Sequence, residues 1–265
     1  MWAFLDVEGA SSSPYLKNIF RGFSGESGSR FGSEWWNSLW SEDGRAGSSP
    51  HSVIWLVMWC FLWLLESMKI EISLPDWLET ELDALSPEES WSAGQSRMEW
   101  VLSLAHRNIE ARSGGPFAAA VFEKVSGRLV SVGVNRVVPC HTSIAHAETV
   151  ALALAQQKLE SHDLAAAGLP EMELVASAQP CIQCFGNTWW SGVRGLLIGA
   201  RAQDVEEIVG FHEGPLPAGW PELLENRPAP LPSVSVTRDL LREEARAVLA
   251  RYRDMGGFVY NAGGE

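Results

Sequence analysis

The chain of 265 residues has little of what nucleic-acid binders, secreted scaffolds and membrane proteins rely on. Twenty basic residues stand against thirty-three acidic ones, a net charge of −13. Affinity for a phosphate backbone leans on Lys and Arg, so this balance argues against a surface that tracks nucleic acid. Four cysteines are too few for a disulfide framework, and two of them sit in one C-x-x-C, which favours a reducing, cytoplasmic setting. The apolar run Val53 to Leu65 has thirteen residues, short of the roughly 18 or more that span a bilayer. It also lies too far from the N-terminus, without a charged flank, for an ordinary signal peptide. No internal repeat is visible. What remains is ordinary for a globular protein with a sizeable core, at 46% hydrophobic and 20% charged residues.

The chain changes character near Met68. Residues 1–67 hold seven of the thirteen Trp, thirteen Ser and a Gly-rich stretch from Gly22 to Gly32, with no sustained helical or strand period. Three readings stay open for them: a disordered tail with a sticky segment, an artefactual extension ahead of a start at Met68, or an anchor for a membrane or partner through Val53 to Leu65. Residues 68–265, with sixteen basic and twenty-six acidic residues, read as the folded domain.

Within that domain Leu74 to Ser90 is acidic and expected at the surface. Met98, Val101, Leu102, Ala105 and Ile109 recur at helical spacing, which predicts an amphipathic helix over 96–112, stopped by Gly114-Gly115-Pro116. Phe117 to Lys124 and Arg128 to Val138 flank Ser126-Gly127 and predict a β-hairpin. A helix follows over His146 to Leu159, then a strand at Glu173 to Ala178 and a helix entered through Pro180, with Cys181 and Cys184 on its first turn. Gly195 to Ala200 is a buried strand, Gln203 to Val209 a short helix, and Pro215 to Pro232 a Pro-rich loop. Ser233 to Thr237 and Leu240 to Tyr252 close the chain as strand and helix. Alternating strands and helices predict an α/β sandwich with a partly parallel sheet.

The chemistry concentrates in His146-Ala147-Glu148 and, thirty-five residues on, Pro180-Cys181-Ile182-Gln183-Cys184. Imidazole and thiolate are zinc ligands, and a catalytic zinc keeps three protein ligands and one open position for water. His146, Cys181 and Cys184 would be those ligands, with a hydroxide made available at neutral pH because zinc lowers the pKa of its water to about 7. Glu148, in the same first turn as His146, is placed to move protons without binding the metal. This H-x-E…P-C-x-x-C pattern is a mark of zinc-dependent base deaminases. C-x-x-C alone would equally suit a redox pair or half a structural zinc site. A fourth ligand is not evident, since His106, His141 and His162 lack motif-like placement and read as ordinary histidines. Cys140 reads as a small buried residue.

From about Met98 to Asn261 the chain resembles the cytidine-deaminase-like superfamily, and most closely its guanine deaminase branch. The resemblance is carried by Gly114-Gly115-Pro116-Phe117-Ala118-Ala119-Ala120-Val121, Gly133-Val134-Asn135-Arg136-Val137, His146-Ala147-Glu148, and Pro180-Cys181 with Cys184-Phe185-Gly186. Trp190-Ser191-Gly192-Val193 and Gly210-Phe211-His212-Glu213-Gly214-Pro215 complete it. It implies a three-layer α/β/α sandwich with a mixed central sheet, a zinc cofactor, and hydrolysis of a free nucleobase, first of all guanine to xanthine and ammonia. Asn135 would bind the purine edge, Phe117 and Trp190 would line the base pocket, and Glu213 would be a second catalytic acid. Phe258-Val259-Tyr260-Asn261 resembles a tail that crosses a dimer to close the partner's pocket, which implies a domain-swapped homodimer. The chain departs from the branch at Gln179, at His212, and at Gln183, Asn187, Thr188 and Trp189, where apolar side chains are usual. Such changes can reshape the pocket. A tRNA adenosine deaminase, a cytosine, nucleoside or aminotriazine deaminase, and a zinc-stabilised binding module without turnover are the alternatives. The acidic charge speaks against RNA, and Glu148, useless to a structural site, speaks against the binding module.

Overall fold

The computed structural model describes residues 70–86 and 89–261; the expectations for residues 1–67, Val53 to Leu65 among them, lie outside the described residues. Strands β1 (Ala118–Glu123) and β2 (Leu129–Val134) pair antiparallel across a turn in which Gly127 takes a φ of 73°. β3 (Met172–Ala178) joins β1 antiparallel, and β4 (Gly195–Ala200) and β5 (Ser235–Thr237) follow in parallel. The order is β2-β1-β3-β4-β5. Every residue of β1, β3 and β4 is buried, which explains why they are mostly apolar without alternation, since strands covered on both faces need no polar face.

The covering layers are helical. On one face α1 (Asp76–Asp83), α2 (Gly94–Glu110), α5 (Ala202–Ile208) and α7 (Arg242–Asp254) bring Leu78, Met98, Val101, Val205 and Leu249 against Ala118, Ala120 and Phe122. The opposite face of β1, with Ala119 and Val121, meets α3 (Ala147–Lys158) through Ala151 and Ala155. Also on this face lie α4 (Ile182–Ser191), through Phe185 and Trp189, and α6 (Trp220–Glu225), through Trp220 and Leu224. This is the expected three-layer α/β/α sandwich with a mixed sheet.

Several boundaries differ from expectation. Leu74 to Ser90 is not simply surface: it contains α1, whose Leu78 is fully buried. The Pro-rich stretch 215–232 contains α6, with Pro221 in its first turn, where a missing N–H is tolerated. α2 ends at Glu110, ahead of Gly114, and Gly114 serves a different purpose. A Cβ there would lie 1.8 Å from the Asn135 carbonyl oxygen, so the absent side chain lets the loop after β2 close onto the loop before β1.

Candidate active site

Two helix starts meet the loop after β2. His146 is the N-cap of α3, in extended conformation, which leaves its ring beside the end of α4 and puts Glu148 in the first turn. Cys181 is the N-cap of α4, and its sulfur accepts the Cys184 N–H at 3.5 Å. This corrects the expected placement: Pro180 precedes the cap, and Cys181 stands outside the helix. The thiolate thereby satisfies a backbone donor that the helix itself leaves unpaired.

His146 Nδ1 lies 3.5 Å from Cys181 Sγ and 3.6 Å from Cys184 Sγ. A tetrahedral zinc with Zn–N near 2.05 Å and Zn–S near 2.3 Å has N···S edges of about 3.6 Å, so the spacing and the donor set both fit that ion. Among the described residues no other group of three His, Cys, Asp or Glu side chains gathers in this way. His106, His141 and His162 are exposed and take no part, and Cys140 is half-buried beside Ser73, not in the core.

The charges are strongly coupled. Cys181 is the thiolate of the pair, held down to about 4 by the hydrogen bond from Cys184 and by contact with His146, while burial opposes this. Sharing that proton and being buried both push Cys184 up. Burial alone would lower His146; its hydrogen bond with Cys181 and the charge of Glu148 raise it instead. Glu148 is raised to about 7, and Glu213 to about 8, first by burial and then by the Cys181 charge. A divalent cation in the His/Cys/Cys cluster would pull both carboxyls down again.

His146, Glu148, Cys181, Asn135 and Glu213 all line one cavity of about 330 Å³, in the size range of small-ligand sites. Asn135 is buried, and its Oδ1 accepts the N–H groups of Gly115 (3.4 Å) and Val137 (3.3 Å). Its amide is thereby oriented with Nδ2 outward, donating to the Tyr260 hydroxyl at 2.6 Å. Phe117 lines the cavity as expected, 5.5 Å from Phe211. Trp190 does not. It is 77% exposed, because Cys184, Thr188 and Ser191 form the inward stripe of α4 and Trp190 falls on the opposite side.

The tail lies against the cavity of its own chain, with Tyr260 and Asn261 among the lining residues. Tyr252 donates to the Phe258 carbonyl, the His212 N–H donates to Asn261 Oδ1, and Asn261 Nδ2 donates to the Gly210 carbonyl. Tyr260 was expected only as part of a swapped tail; its own contact with Asn135 has no signature beyond a lone tyrosine near the chain end. The polar departures find partners. Thr188 donates to the Cys184 carbonyl, Gln183 to the Ser143 carbonyl, and Asn187 to Thr149. The Trp189 carbonyl accepts from Arg227, whose guanidinium stacks 4.7 Å above that ring.

Residues 92–200 match the family model of the cytidine and deoxycytidylate deaminase zinc-binding region. The fold is similar to a solved structure of the protein NE0047 in complex with 2,6-diaminopurine, at 49% identity and a TM-score of 0.66. That match covers 73% of this chain and 97% of the other. A mutant of NE0047 in complex with 8-azaguanine matches at 48% identity and a TM-score of 0.65, over 71% of this chain and 99% of that one. A guanine deaminase of Nitrosomonas europaea matches at 49% identity and a TM-score of 0.64, over 70% and 97%.

Proposed function

Because the chain belongs to the cytidine-deaminase-like zinc deaminases, in their guanine deaminase branch, we propose that it hydrolyses guanine to xanthine and ammonia. The observation that carries this reading is the cluster of His146, Cys181 and Cys184 at a cavity that His146 and Cys181 line together with a buried Glu148 and an oriented Asn135. His146, Cys181 and Cys184 would hold the zinc, which when bound supplies a water acidic enough to lose a proton at neutral pH. Glu148 would accept that proton and deliver it to the ring nitrogen beside the amino-bearing carbon, then take the second proton of the same water as the carbonyl forms and pass it to the departing amine, which leaves as ammonia. Glu213 faces the same cavity as a second proton source for the amino group.

Selection of the base follows from hydrogen-bond polarity. Asn135 spends its oxygen on backbone N–H groups, so it offers only N–H toward the cavity. Tyr260 accepts from Asn135 and so keeps its own O–H to donate. Two donors side by side suit the O6 and N7 acceptors of guanine; adenine offers a donor in place of one of them. Phe117 and Phe211 supply apolar surface for the ring. The 2,6-diaminopurine and 8-azaguanine bound in the similar structures share with guanine the 2-amino group that the reaction removes; of the two, 8-azaguanine also keeps the O6 acceptor, whereas 2,6-diaminopurine has an amino group there.

We read the enzyme as a cytoplasmic homodimer of purine metabolism, a reading supported by the free cysteines among the described residues and by the resemblance of Phe258 to Asn261 to a tail that crosses a dimer. No helix among the described residues is long and apolar enough to cross a membrane. The test is ammonia release by the zinc-loaded chain on guanine, adenine, cytosine, their nucleosides and aminotriazines. Release from guanine at least tenfold faster than from the others is expected. Release from none would overturn the deaminase reading; preference for another ring would overturn the substrate.

A further inference from the structure

His146 and Cys184 are each followed, three residues on, by a polar side chain on the same helix face: Thr149 on α3 and Asn187 on α4. The two side chains meet. Asn187 Nδ2 donates to Thr149 Oγ1 at 2.7 Å, and Thr149 Oγ1 lies 3.9 Å from Cys184 Sγ, at the long end for a hydroxyl–sulfur contact. A hydroxyl has one proton and two lone pairs. With the Asn187 amide pointing an N–H at the oxygen, the Thr149 proton is left to point elsewhere, and the sulfur of Cys184 is the acceptor beside it. Sequence resemblance leads to apolar side chains at position 187, and an apolar pair would pack between these helices without any polar group to satisfy. The polar pair therefore needs a reason, and the sulfur is that reason.

We propose that Thr149, held in orientation by Asn187, is a positioning residue that donates a hydrogen bond to the Cys184 thiolate and so fixes it as a metal ligand. The idea rests on the zinc reading above and adds to it the partner that sets one ligand. Groups that orient the ligands of a metal in this way contribute to its affinity, because metal binding requires the deprotonated, correctly rotated thiolate.

The test is made on the full chain, stripped of metal and titrated with zinc against a chromophoric chelator, and repeated with Co²⁺ to follow the thiolate-to-cobalt absorption. Thr149→Val, which keeps the shape and removes the hydroxyl, should weaken zinc by about 10–100-fold, and Thr149→Ser should restore affinity to within about threefold of the parent. Asn187→Leu should weaken zinc by a smaller factor in the same direction. The double variant should be no worse than Thr149→Val alone, since both changes act through one hydroxyl. The cobalt band should move to lower energy in the valine variant, where the sulfur lone pair is no longer stabilised, and return in the serine variant. An affinity within about twofold of the parent for Thr149→Val or for Asn187→Leu would overturn the proposal, given that lost second partners normally cost 10-fold or more. So would failure of serine to rescue. If the valine variant does not fold, the leucine and serine variants decide alone. A parent chain that binds no zinc would overturn the metal reading as well, which separates the two failures.

Discussion

Glu148 and Asn135 carry the sharpest expectations because each has one job and a well-defined set of neighbours. Glu148 is buried beside His146 and Cys181 without lying among the ligand atoms, so its loss should spare the metal. Glu148→Ala is expected to lower kcat by about 10²–10⁴-fold or more, the range for a positioned proton carrier, with zinc content per chain unchanged by elemental analysis. Survival of full activity would remove the proton role. Asn135 acts on recognition. Asn135→Leu removes the donor that Gly115 and Val137 aim at the cavity, and should relax preference for guanine over adenine by about 1–3 kcal/mol, read as a ratio of kcat/KM values. At this scale the sequence was legible wherever chemistry restricts the residue type. A His/Cys/Cys set with a spare carboxylate announces itself, and all four side chains meet as expected. Trp190 shows the converse: an aromatic side chain carries no mark of which face of α4 it occupies, and the inward stripe of Cys184, Thr188 and Ser191 decided the matter.

Elements were readable where apolar spacing was regular, and missed where a few residues do the packing. α2, α3, α7 and the strands lie within a few residues of expectation, whereas α1 and α6 are six to eight residues long and bury one or two side chains each, too few for a period to emerge. Helix ends were misplaced for a related reason: Cys181 reads as helical by its spacing to Cys184 but is used as the cap. The joint between α5 and α7 offers an element-scale test. Asp204 is fully buried, caps α5 through the Arg201 N–H at 2.8 Å, and accepts Arg242 Nε at 2.8 Å and Nη2 at 2.7 Å, with Arg246 alongside. The Arg242 guanidinium, against the opposing effect of burial, holds its carboxyl down to about 2 from an ordinary 3.8. A lowered carboxylate stabilises the fold above its unfolded value and loses that contribution as pH falls toward the folded one. Urea unfolding should therefore show Asp204→Asn less stable by about 2 kcal/mol at pH 7, with the gap narrowing from about pH 4 toward pH 2. A gap that held constant with pH would deny the ion pair its role. The tail gives a second test. Ending the chain at Gly257 removes Tyr260 and Asn261 from the cavity wall, and should raise the guanine KM at least tenfold with melting temperature little changed.

At the scale of the whole molecule, everything the chemistry uses lies in residues 114–261. The sheet is complete within Glu71–Glu265, which forms one compact unit, and the match to the deaminase zinc-binding region spans 92–200. The relatives are covered over 97% or more of their own length by about 70–73% of this chain. Composition divides the chain at the same place, with acidic, apolar-patterned sequence after Met68 and Trp- and Ser-rich sequence before it. A chain beginning at Met68 is therefore expected to fold, bind zinc and release ammonia from guanine with kcat/KM within about threefold of the full chain, because the sheet, the cavity lining and the family match all lie after Met68. The two chains should be compared by melting temperature, zinc content and activity in parallel. A large loss of melting temperature would assign residues 1–67 a packing role on the deaminase unit. Unchanged stability with a loss confined to KM would place part of them at the cavity mouth. Unchanged values in all three would leave the deaminase unit self-sufficient and make Val53 to Leu65 a matter of location, to be followed by whether the full chain, and not the shortened one, sediments with membranes.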